Sequence, residues 1–386
     1  LENLAPIELE EASPSVSALV PRVAVSYFAP TGFAAGPSFR SWNEVSQWLA
    51  GLNDPKADSS EALKEKAAQL TAGARDEFER IHSIADFVQK IRYVSIQVGA
   101  GRGGGYQPRP ASEILQKLYG DCKDKATLMR SLLREAGIES YPVVVYSSDR
   151  HYVKPEWPSP HQFDHAIIGI RVNSAMAKPA VGEHPVLGRL LFFDPTDPNT
   201  PLGFLPENEQ GSHLLPLTAQ GAALMQAPHA PPSANLVDRR ITAVLREDGS
   251  LGGEIQESGE GIAAARNWAL VRDRDPQAYR RVIERWIASS VPGVSISDIQ
   301  TTVNGESGFQ LNVKFSTEQY GQVMAGSMIV FRPAMVSLRE SYGFAKEERN
   351  LPVVLDSESY REEVQVKIPD GFRVDEAPPP VALERE

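Results

Sequence analysis

The stretch "YGDCKDKATLMRSLLREAGI", from Tyr119 to Ile138, contains the only cysteine of this 386-residue chain, Cys122. Its apolar residues recur every three or four positions: Leu128, Met129, Leu132, Leu133 and Ala136. This spacing predicts an amphipathic helix with one buried face. Because Gly137 is the expected end of that helix, the pattern predicts Cys122 at, or just before, the first turn of a buried helix.

The charges around Cys122 bear on whether its thiol is reactive. The positive end of a helix dipole stabilises a thiolate, and Lys123 and Lys125 act in the same direction. Asp121 and Asp124 act against it. A free cysteine is also often a small, buried apolar residue with no chemistry. The stretch alone therefore leaves both a catalytic and a packing cysteine open.

The composition narrows the class of protein. Hydrophobic residues make up 41% of the chain and charged residues 23%, as in ordinary globular proteins. The net charge of -11 provides no basic footprint, so we expect no nucleic-acid partner. No run of about 18 apolar residues occurs, which predicts no transmembrane segment. The chain begins at Leu1, which we interpret as a trimmed or mature form.

Apolar periodicity and turn residues predict the elements around this stretch. Three helices are expected before it, at residues 38–52, at 60–71 with Ser60 or Ser59 as the N-cap, and at 76–91. Four segments read as strands: Tyr93–Gly99, "SYPVVVYS" (140–147), "HAIIGIRV" (165–172) and "RLLFFDPTD" (189–197). Glycines and prolines predict a loop at residues 100–110.

Beyond residue 226 the pattern changes. A Pro-rich linker is predicted at residues 227–235. The segment 240–259 reads as a hairpin that turns at Asp248-Gly249. A helical stretch at 262–288 is expected to break near Pro276. Further strands follow, in "FQLNVKFS" (309–316), "SMIVFRP" (327–333) and "EEVQVKI" (362–368). The second half is therefore predicted to be rich in strands.

Two of the predicted strands place chemistry-bearing residues at their ends. His165 starts one strand and Asp194 ends another. If the two strands are antiparallel with His165 opposite Asp194, then Ile167 lies opposite Phe192 and the carboxylate can orient the imidazole. With Cys122 nearby, these residues would form a nucleophile, a base and an orienting group. Taken singly, His165 reads as an exposed strand-end residue and Asp194 as a turn residue.

Cys122 in "GDCKDKATLMRSLLREAGI", His165 in "FDHAII" and Asp194 in "FFDPTD" resemble, in this chain order, the transglutaminase-like superfamily. The resemblance is strongest to bacterial proteins in which such a core follows a domain called DUF3857. It covers residues 59–217, including the segments 91–129 and 193–211, and is weaker after residue 235.

The resemblance implies an α+β fold, with a papain-like, transglutaminase-like core in which the Cys-bearing helix packs on an antiparallel sheet, followed by a β-rich C-terminal domain. The expected divisions are a remnant of an N-terminal β-rich domain and linker at 1–50, the core at 51–226, the linker at 227–235 and the C-terminal domain at 236–386. A periplasmic or secreted location follows from the same resemblance.

The resemblance also implies roles for site residues. Cys122 would be the nucleophile, His165 the general base and acid, and Asp194 the residue that orients the imidazole. A side chain from upstream would complete the oxyanion hole. Gln97 is the candidate, with Gln107 as the second choice. Gln97 can equally be a polar residue on a half-exposed strand.

The implied reaction is acyl transfer on protein or peptide amides through a thioester, with hydrolysis favoured. The alternatives are a cross-linking or amine-incorporating transglutaminase and a non-catalytic binding module. We expect no cofactor and no metal. A zinc site in "HQFDH", with His161 and His165, is disfavoured because the segment runs from loop into strand, where residues four apart do not share a helical face. The sequence does not fix the oligomeric state.

Overall fold

The computed structural model describes residues 6–25, 38–95, 105–304, 308–325, 327–337 and 348–384. The chain divides into two compact units. The first unit comprises Leu1–Asn235 and Tyr342–Glu358, and the second unit comprises Leu236–Ser341 and Ser359–Glu386. Helices and strands occur in both units, so the predicted α+β class is confirmed. Within the described ranges, the structure contains no helix with the length and apolar character needed to cross a membrane.

The first unit combines a layer of helices with a mixed set of strands. Its helices are α1 (Val16–Leu19), α2 (Trp42–Asn53), α3 (Glu61–Thr71), α4 (Glu77–Gln89), α5 (Ala111–Lys117) and α6 (Cys122–Glu135). Its strands are β1 (Arg92–Tyr93), β2 (Tyr119–Gly120), β3 (Ser140–Val145), β4 (His165–Arg171), β5 (Val181–His184), β6 (Gly188–Phe193), β7 (His213–Pro216) and β8 (Met225–Gln226). Six of these strands form one sheet, in the order β5-β6-β4-β3-β7-β8.

Side-chain caps set the helix ends where the sequence predicts them. Ser60 caps α3 by accepting a hydrogen bond from the Leu63 amide, and Asp76 caps α4 in the same way. Helix α6 stops at Gly137, whose φ of +76° is one that glycine adopts without strain. These local signals are confirmed because each depends on residues only a few positions apart.

The core of the first unit lies between the helices and the six-stranded sheet. The predicted stripe on α6 is buried there: Leu128, Met129, Leu132 and Leu133 are fully inaccessible. They pack in one cluster with Ile84 and Val88 of α4 and with Ile167 of β4. Full burial of one such aliphatic side chain stabilises a fold by about 1.5–3 kcal/mol. This packing fixes the start of α6 relative to the sheet.

The register between β4 and β6 differs from the prediction by two residues. Gly169, rather than Ile167, lies opposite Phe192, and the ladder ends at Ile168 opposite Phe193. Asp194 lies beyond the ladder because its Oδ1 accepts a hydrogen bond from the Thr196 amide at 2.7 Å, which turns the chain. A shift of two keeps every side chain on its predicted face.

Other expectations in this unit need correction. The predicted strand Tyr93–Gly99 is reduced to Arg92–Tyr93, which pairs in parallel with Tyr119–Gly120. Residues 94 and 95 are not in a strand, and residues 96–99 lie outside the described part. The elements α5, β5, β7 and β8 were not predicted, since all have seven residues or fewer and their periodicity is correspondingly weak.

The second unit is built on a five-stranded sheet in the order β11-β12-β10-β9-β15. Its elements are β9 (Leu236–Leu245), β10 (Leu251–Glu260), α7 (Gly261–Arg272), α8 (Pro276–Ala288), β11 (Ser295–Asn304), β12 (Gly308–Thr317), β13 (Gln322–Met324), β14 (Met328–Val330) and β15 (Ser359–Lys367). The predicted hairpin is confirmed by β9 and β10, with Gly249 at a φ of +83° in the turn. The predicted break is confirmed too, because Pro276 is the first residue of α8.

The chain passes from the first unit to the second at two places that lie side by side. Asn235 Nδ2 donates a 2.7 Å hydrogen bond to the Ser357 carbonyl, and Ser357 Oγ donates to the Ala230 carbonyl at 2.6 Å. Immediately after these residues, β9 and β15 begin and pair in parallel, with Leu236 opposite Ser359. Their parallel direction follows because both strands start from the same point.

Candidate active site

Cys122 is the first residue of α6, at the position that the sequence predicts. Asp121 is the N-cap, and it forms a capping box with Asp124. The Asp124 amide donates to Asp121 Oδ1 at 3.3 Å, and the Asp121 amide donates to Asp124 Oδ2 at 3.2 Å. The box holds the first turn of the helix, and with it the direction in which Cys122 leaves the backbone.

The two acids beside Cys122 are paired with cations. Arg109 donates to Asp124 Oδ2 from Nε at 3.0 Å and from Nη2 at 2.7 Å, and its backbone amide donates to Oδ1 at 2.8 Å. Lys123 donates to Asp121. Both carboxylates therefore have a cationic partner within their own part of the site.

Lys125 does not act as a counter-ion of the thiol. Its side chain is buried, and Nζ donates to the carbonyl groups of Gln89 at 3.1 Å and Ile91 at 3.0 Å. Burial lowers the pKa of Lys125 to about 8. The residue ties α6 to the C-terminal end of α4, where carbonyl groups have no partner within the helix.

His165 lies between Cys122 and Asp194. Its Nε2 is 3.1 Å from Asp194 Oδ2 and 3.3 Å from Thr196 Oγ1. Burial lowers the pKa of His165, but hydrogen bonds with Asp194 and Cys122 outweigh that effect and raise the pKa well above the ordinary histidine value. Burial raises the pKa of Asp194, whereas its bonds to His165 and Thr196 more than reverse this and hold the pKa below the usual range. The structure thus brings the three predicted residues together.

The contact between His165 and Asp194 does not come from opposite residues of the ladder. The ladder of β4 and β6 ends at Ile168 opposite Phe193, before it reaches His165. His165 is instead contacted from the turn that follows β6, which carries Asp194 and Thr196. The predicted contact exists, but it depends on this turn and not on the predicted register.

Glu209 is a residue of this cluster that the sequence reading misses. Its Oε1 lies 3.7 Å from His165 Nε2, and its side chain is 1% exposed. Its Oε2 is buried without a hydrogen-bond partner. Burial, followed by the charge of Asp194, raises the pKa of Glu209 well above the ordinary value. Glu209 falls in an irregular segment without periodicity, and the only sequence signal for it was the family-like string 193–211.

A cleft of about 290 Å³ opens beside Cys122 and His165. One part of its wall is apolar and is formed by Leu49, Tyr106, Val144, Phe163 and Leu217. Another part is polar and is formed by Asn53, Ser95, Asp121, Lys123 and Asp164. Helix α2 contributes to this wall, so the cleft draws on both sides of the boundary predicted at residue 50.

Tyr93 also lines the cleft and was not predicted as a site residue. Burial is the main cause that raises the pKa of Tyr93, and the charges of Cys122 and Asp121 act in the same direction. A phenol that stays neutral can donate a hydrogen bond into the cleft. Of the predicted oxyanion candidates, Gln97 lies outside the described residues. Gln107 is described but is not part of the cleft wall.

Within the described part of the chain, one group of three side chains has donor atoms close enough to share a metal ion. These are His165, Asp194 and Glu209, whose donor atoms all lie within 4.8 Å of one another. Of the two histidines of the disfavoured zinc site, His165 belongs to this group, whereas His161 does not: its Nδ1 is 2.9 Å from Tyr106 Oη.

Comparison with known proteins finds a family match for a part of the chain that includes two of the site residues. Residues 64–175 match the family model described as "Transglutaminase-like superfamily". This range contains Cys122 and His165, while Asp194 and Glu209 lie beyond it. No curated protein matches the chain. The resemblance to DUF3857-associated proteins stays a prediction.

Two solved structures show distant similarity. A "putative protease" from Parabacteroides distasonis is 14% identical with a TM-score of 0.38, over 77% of this chain and 58% of that one. A "putative cysteine protease" from Cytophaga hutchinsonii is 17% identical with a TM-score of 0.24, over 37% of this chain and 42% of that one. The chain thus spans less than two thirds of either protein.

Proposed function

We propose that this chain, in which residues 64–175 match the transglutaminase-like superfamily, is a cysteine enzyme that transfers acyl groups from protein or peptide amides. Cys122 is the nucleophile, His165 the general base and acid, and Asp194 the residue that orients the imidazole. The observation that carries the proposal is the continuous contact from Cys122 to His165 and on to Asp194.

The reaction follows from this arrangement in balanced steps. His165 takes the thiol proton, and the Cys122 sulfur attacks the amide carbonyl carbon to form a C–S bond. The imidazolium then gives its proton to the amide nitrogen as the C–N bond breaks and the amine leaves. A thioester remains on Cys122. Water, deprotonated by His165, attacks this thioester, and the proton returns to the sulfur as the carboxylic acid is released.

The electrostatics of the site favour the charged forms of His165 and Asp194. The pKa of His165 is raised, after the opposing effect of burial, by its hydrogen bonds to Asp194 and Cys122. An imidazolium beside Cys122 stabilises a thiolate in turn, and the start of α6 adds the positive end of its dipole. The general base is therefore in contact with the nucleophile before substrate binds.

Two donors are available for the oxyanion that develops on the carbonyl oxygen. The Cys122 amide is among the first N–H groups of α6, which have no carbonyl partner within the helix. The second donor is the hydroxyl group of Tyr93, which lies in the wall of the cleft. Gln97 stays a candidate from the family resemblance alone.

Hydrolysis is the proposed outcome, with transamidation as the alternative. Water reaches a thioester in an open cleft without a binding site of its own, whereas an amine acceptor needs both a site and the exclusion of water. The mixed wall, with apolar residues such as Leu49 and Phe163 and charged residues such as Lys123 and Asp164, suits a peptide, which has an apolar and a polar side.

The test is intact-mass spectrometry of the full chain after incubation with a biotinylated glutaminyl peptide electrophile. Wild type is compared with Cys122→Ala, each with and without a primary amine. We expect one adduct on wild type and none on the variant. If turnover depends on the primary amine, the proposed reaction is transamidation and not hydrolysis. If wild type forms no adduct under any condition, the proposal fails and the non-catalytic binding module takes its place.

A further inference from the structure

Glu209 is a buried carboxyl group that the proposed reaction does not use. The backbone holds it firmly, because its amide donates to the Pro206 carbonyl at 3.0 Å and its carbonyl accepts from the Ser212 amide at 3.1 Å. The side chain is 1% exposed and reaches the side of His165 that faces Asp194. A carboxyl group fixed at this place bears directly on the pair that controls Cys122.

The charges that face Glu209 come from several elements and are mainly negative. Asp194 and Asp197 lie in the turn after β6, and both disfavour a second negative charge. His165 on β4 is the cation that opposes them. Lys125 on α6 acts on Asp194, but its ammonium is occupied by two backbone carbonyl groups. A glutamate anion here would be one of two carboxylates that share a single imidazolium.

The unpartnered Oε2 atom also favours the acid. A buried carboxylate oxygen without a hydrogen bond loses its hydration without compensation, which is far more costly for an anion than for a neutral group. When two carboxyl groups are buried close together, the cost of burying their charge is lower if one of them keeps its proton. Side-chain oxygens of Asp194 and Glu209 lie within 4.8 Å of each other, and a hydrogen bond with the Asp194 side chain is among the causes that raise the pKa of Glu209.

We propose that Glu209 is a positioning residue that stays protonated, donates a hydrogen bond to the Asp194 carboxylate and thereby fixes that carboxylate against His165 Nε2. Asp194 is then held by Glu209 together with the Thr196 amide and His165. The Asp194 and Glu209 carboxyl groups together then carry one negative charge, which matches the single positive charge of the His165 imidazolium. The inference rests on the proposed function, because it assigns the support of the same Cys122 site.

The test uses two variants of the full chain, Glu209→Gln and Glu209→Ala. Glutamine has the same shape and keeps a donor, but it can never carry a charge. Alanine removes the donor. The matched control is Glu207→Gln, because Glu207 lies two residues away in the same segment and is half-buried. Circular dichroism confirms that each variant is folded.

Two measurements report on the cluster. The imidazole signals of ¹³C-labelled histidine, assigned with His165→Gln, give the titration midpoint of His165. The rate of Cys122 alkylation by iodoacetamide, followed by intact mass between pH 5 and 9, reports on the reactive pair without requiring turnover. We expect Glu209→Gln to keep the His165 midpoint of wild type. Glu209→Ala should lower both this midpoint and the alkylation rate near neutral pH, the rate by about tenfold or more.

Three outcomes would overturn the inference. A lower His165 midpoint in Glu209→Gln would mean that Glu209 is an anion. An unchanged midpoint and rate in Glu209→Ala would mean that it positions nothing. Stoichiometric metal in the purified chain, measured by elemental analysis, would make Glu209 a ligand. Failure of the proposed function looks different: Cys122 of wild type itself would alkylate only in the pH range of a free thiol, while the His165 titration would still decide the state of Glu209.

Discussion

At the scale of single residues, the central pair of the site is held by opposite shifts of two acid–base groups. The pKa of His165 is raised by its partners in spite of burial, and the pKa of Asp194 is lowered by His165 in spite of burial. Each group therefore stabilises the folded chain in its charged form. In the proposed reaction His165 reaches this charged state when it takes the Cys122 proton.

This pair predicts how stability depends on pH. A raised histidine pKa contributes stability that is complete below about 6.5 and is lost as pH rises through the folded value. A lowered aspartate pKa contributes stability that is complete above about 3.9 and is lost as pH falls through the folded value. The contribution is thus greatest between about pH 4 and 6.5. We expect the difference in unfolding free energy between wild type and His165→Gln to peak there.

Urea unfolding of both proteins at several pH values measures this difference. Because His82 lies on the partly exposed face of α4, His82→Gln serves as the control for replacing a histidine outside the site. A difference between wild type and His165→Gln that is flat from pH 4 to 9 would contradict the pairing of His165 with Asp194.

The sequence predicts part of the site because three of its residues stand at element ends. Cys122, His165 and Asp194 were placed by a helix start, a strand start and a strand end. Glu209 was missed because it lies in no periodic pattern, and Tyr93 was missed because its place at the start of a predicted strand does not indicate a site residue. Their place in the site depends on contacts between distant segments, such as the 3.7 Å approach of Glu209 to His165, and local patterns do not encode such contacts.

At the scale of elements, the start of α6 depends on a glycine that precedes it. A Cβ atom at Gly120 would lie 2.6 Å from the Asp124 Cβ atom, which is closer than real Cβ contacts come. Asp124 forms the capping box with Asp121 and accepts three hydrogen bonds from Arg109. The small residue at position 120 therefore protects the geometry at Cys122.

We expect Gly120→Ala to destabilise the chain by about 1–3 kcal/mol, because Asp124 must move and the capping box must open. The same change should slow the alkylation of Cys122 by iodoacetamide. The control is Gly73→Ala, since a Cβ atom there meets nothing within 4 Å. Thermal unfolding and intact mass measure the two effects. Equal behaviour of both variants would show that the space at Gly120 does not matter.

The register of β4 and β6 shows where element-level prediction is limited. Alternation of apolar residues fixes which face a side chain occupies, and these faces are as predicted. The same alternation cannot distinguish registers that differ by two residues. That choice is made by the turn at Asp194, where the side chain accepts the Thr196 amide and ends the ladder earlier than the apolar pattern suggests.

At the scale of the whole molecule, the second unit is held together by a buried charge. Arg239 is 1% exposed, and it donates to Glu257 at 2.9 Å and to Glu362 at 3.0 Å. Its guanidinium also lies over the rings of Trp286 and Tyr360. Strands β9, β10 and β15 and helix α8 therefore meet at one side chain.

We expect Arg239→Met to destabilise the second unit by about 3–5 kcal/mol, because Glu257 would lose the partner of a buried charge. Hydrogen exchange of amides in β9 and β10 should accelerate by a factor of about 100 or more. Arg240→Met is the control, since Arg240 is a neighbour on the same strand whose side chain is 59% exposed. An equal acceleration in both variants would contradict the role of Arg239.

The division into units could not be read from composition alone. The Pro-rich segment at 227–235 marks the first passage between the units, but the two later passages, after residues 341 and 358, have no such marker. Residues 348–358 belong with the first unit through contacts with distant residues, such as the Val354 amide donating to the Ala12 carbonyl at 2.7 Å. Sequence patterns within a short window do not report contacts of this span.

The double passage of the chain has a mechanical consequence. Strands β9 and β15 both begin at the point where the chain leaves the first unit, and they pair in parallel along their length. A force applied to the chain at these two starts therefore pulls two hydrogen-bonded neighbours from the same ends and along the direction of both strands. We expect this connection to withstand stretching better than a single tether would.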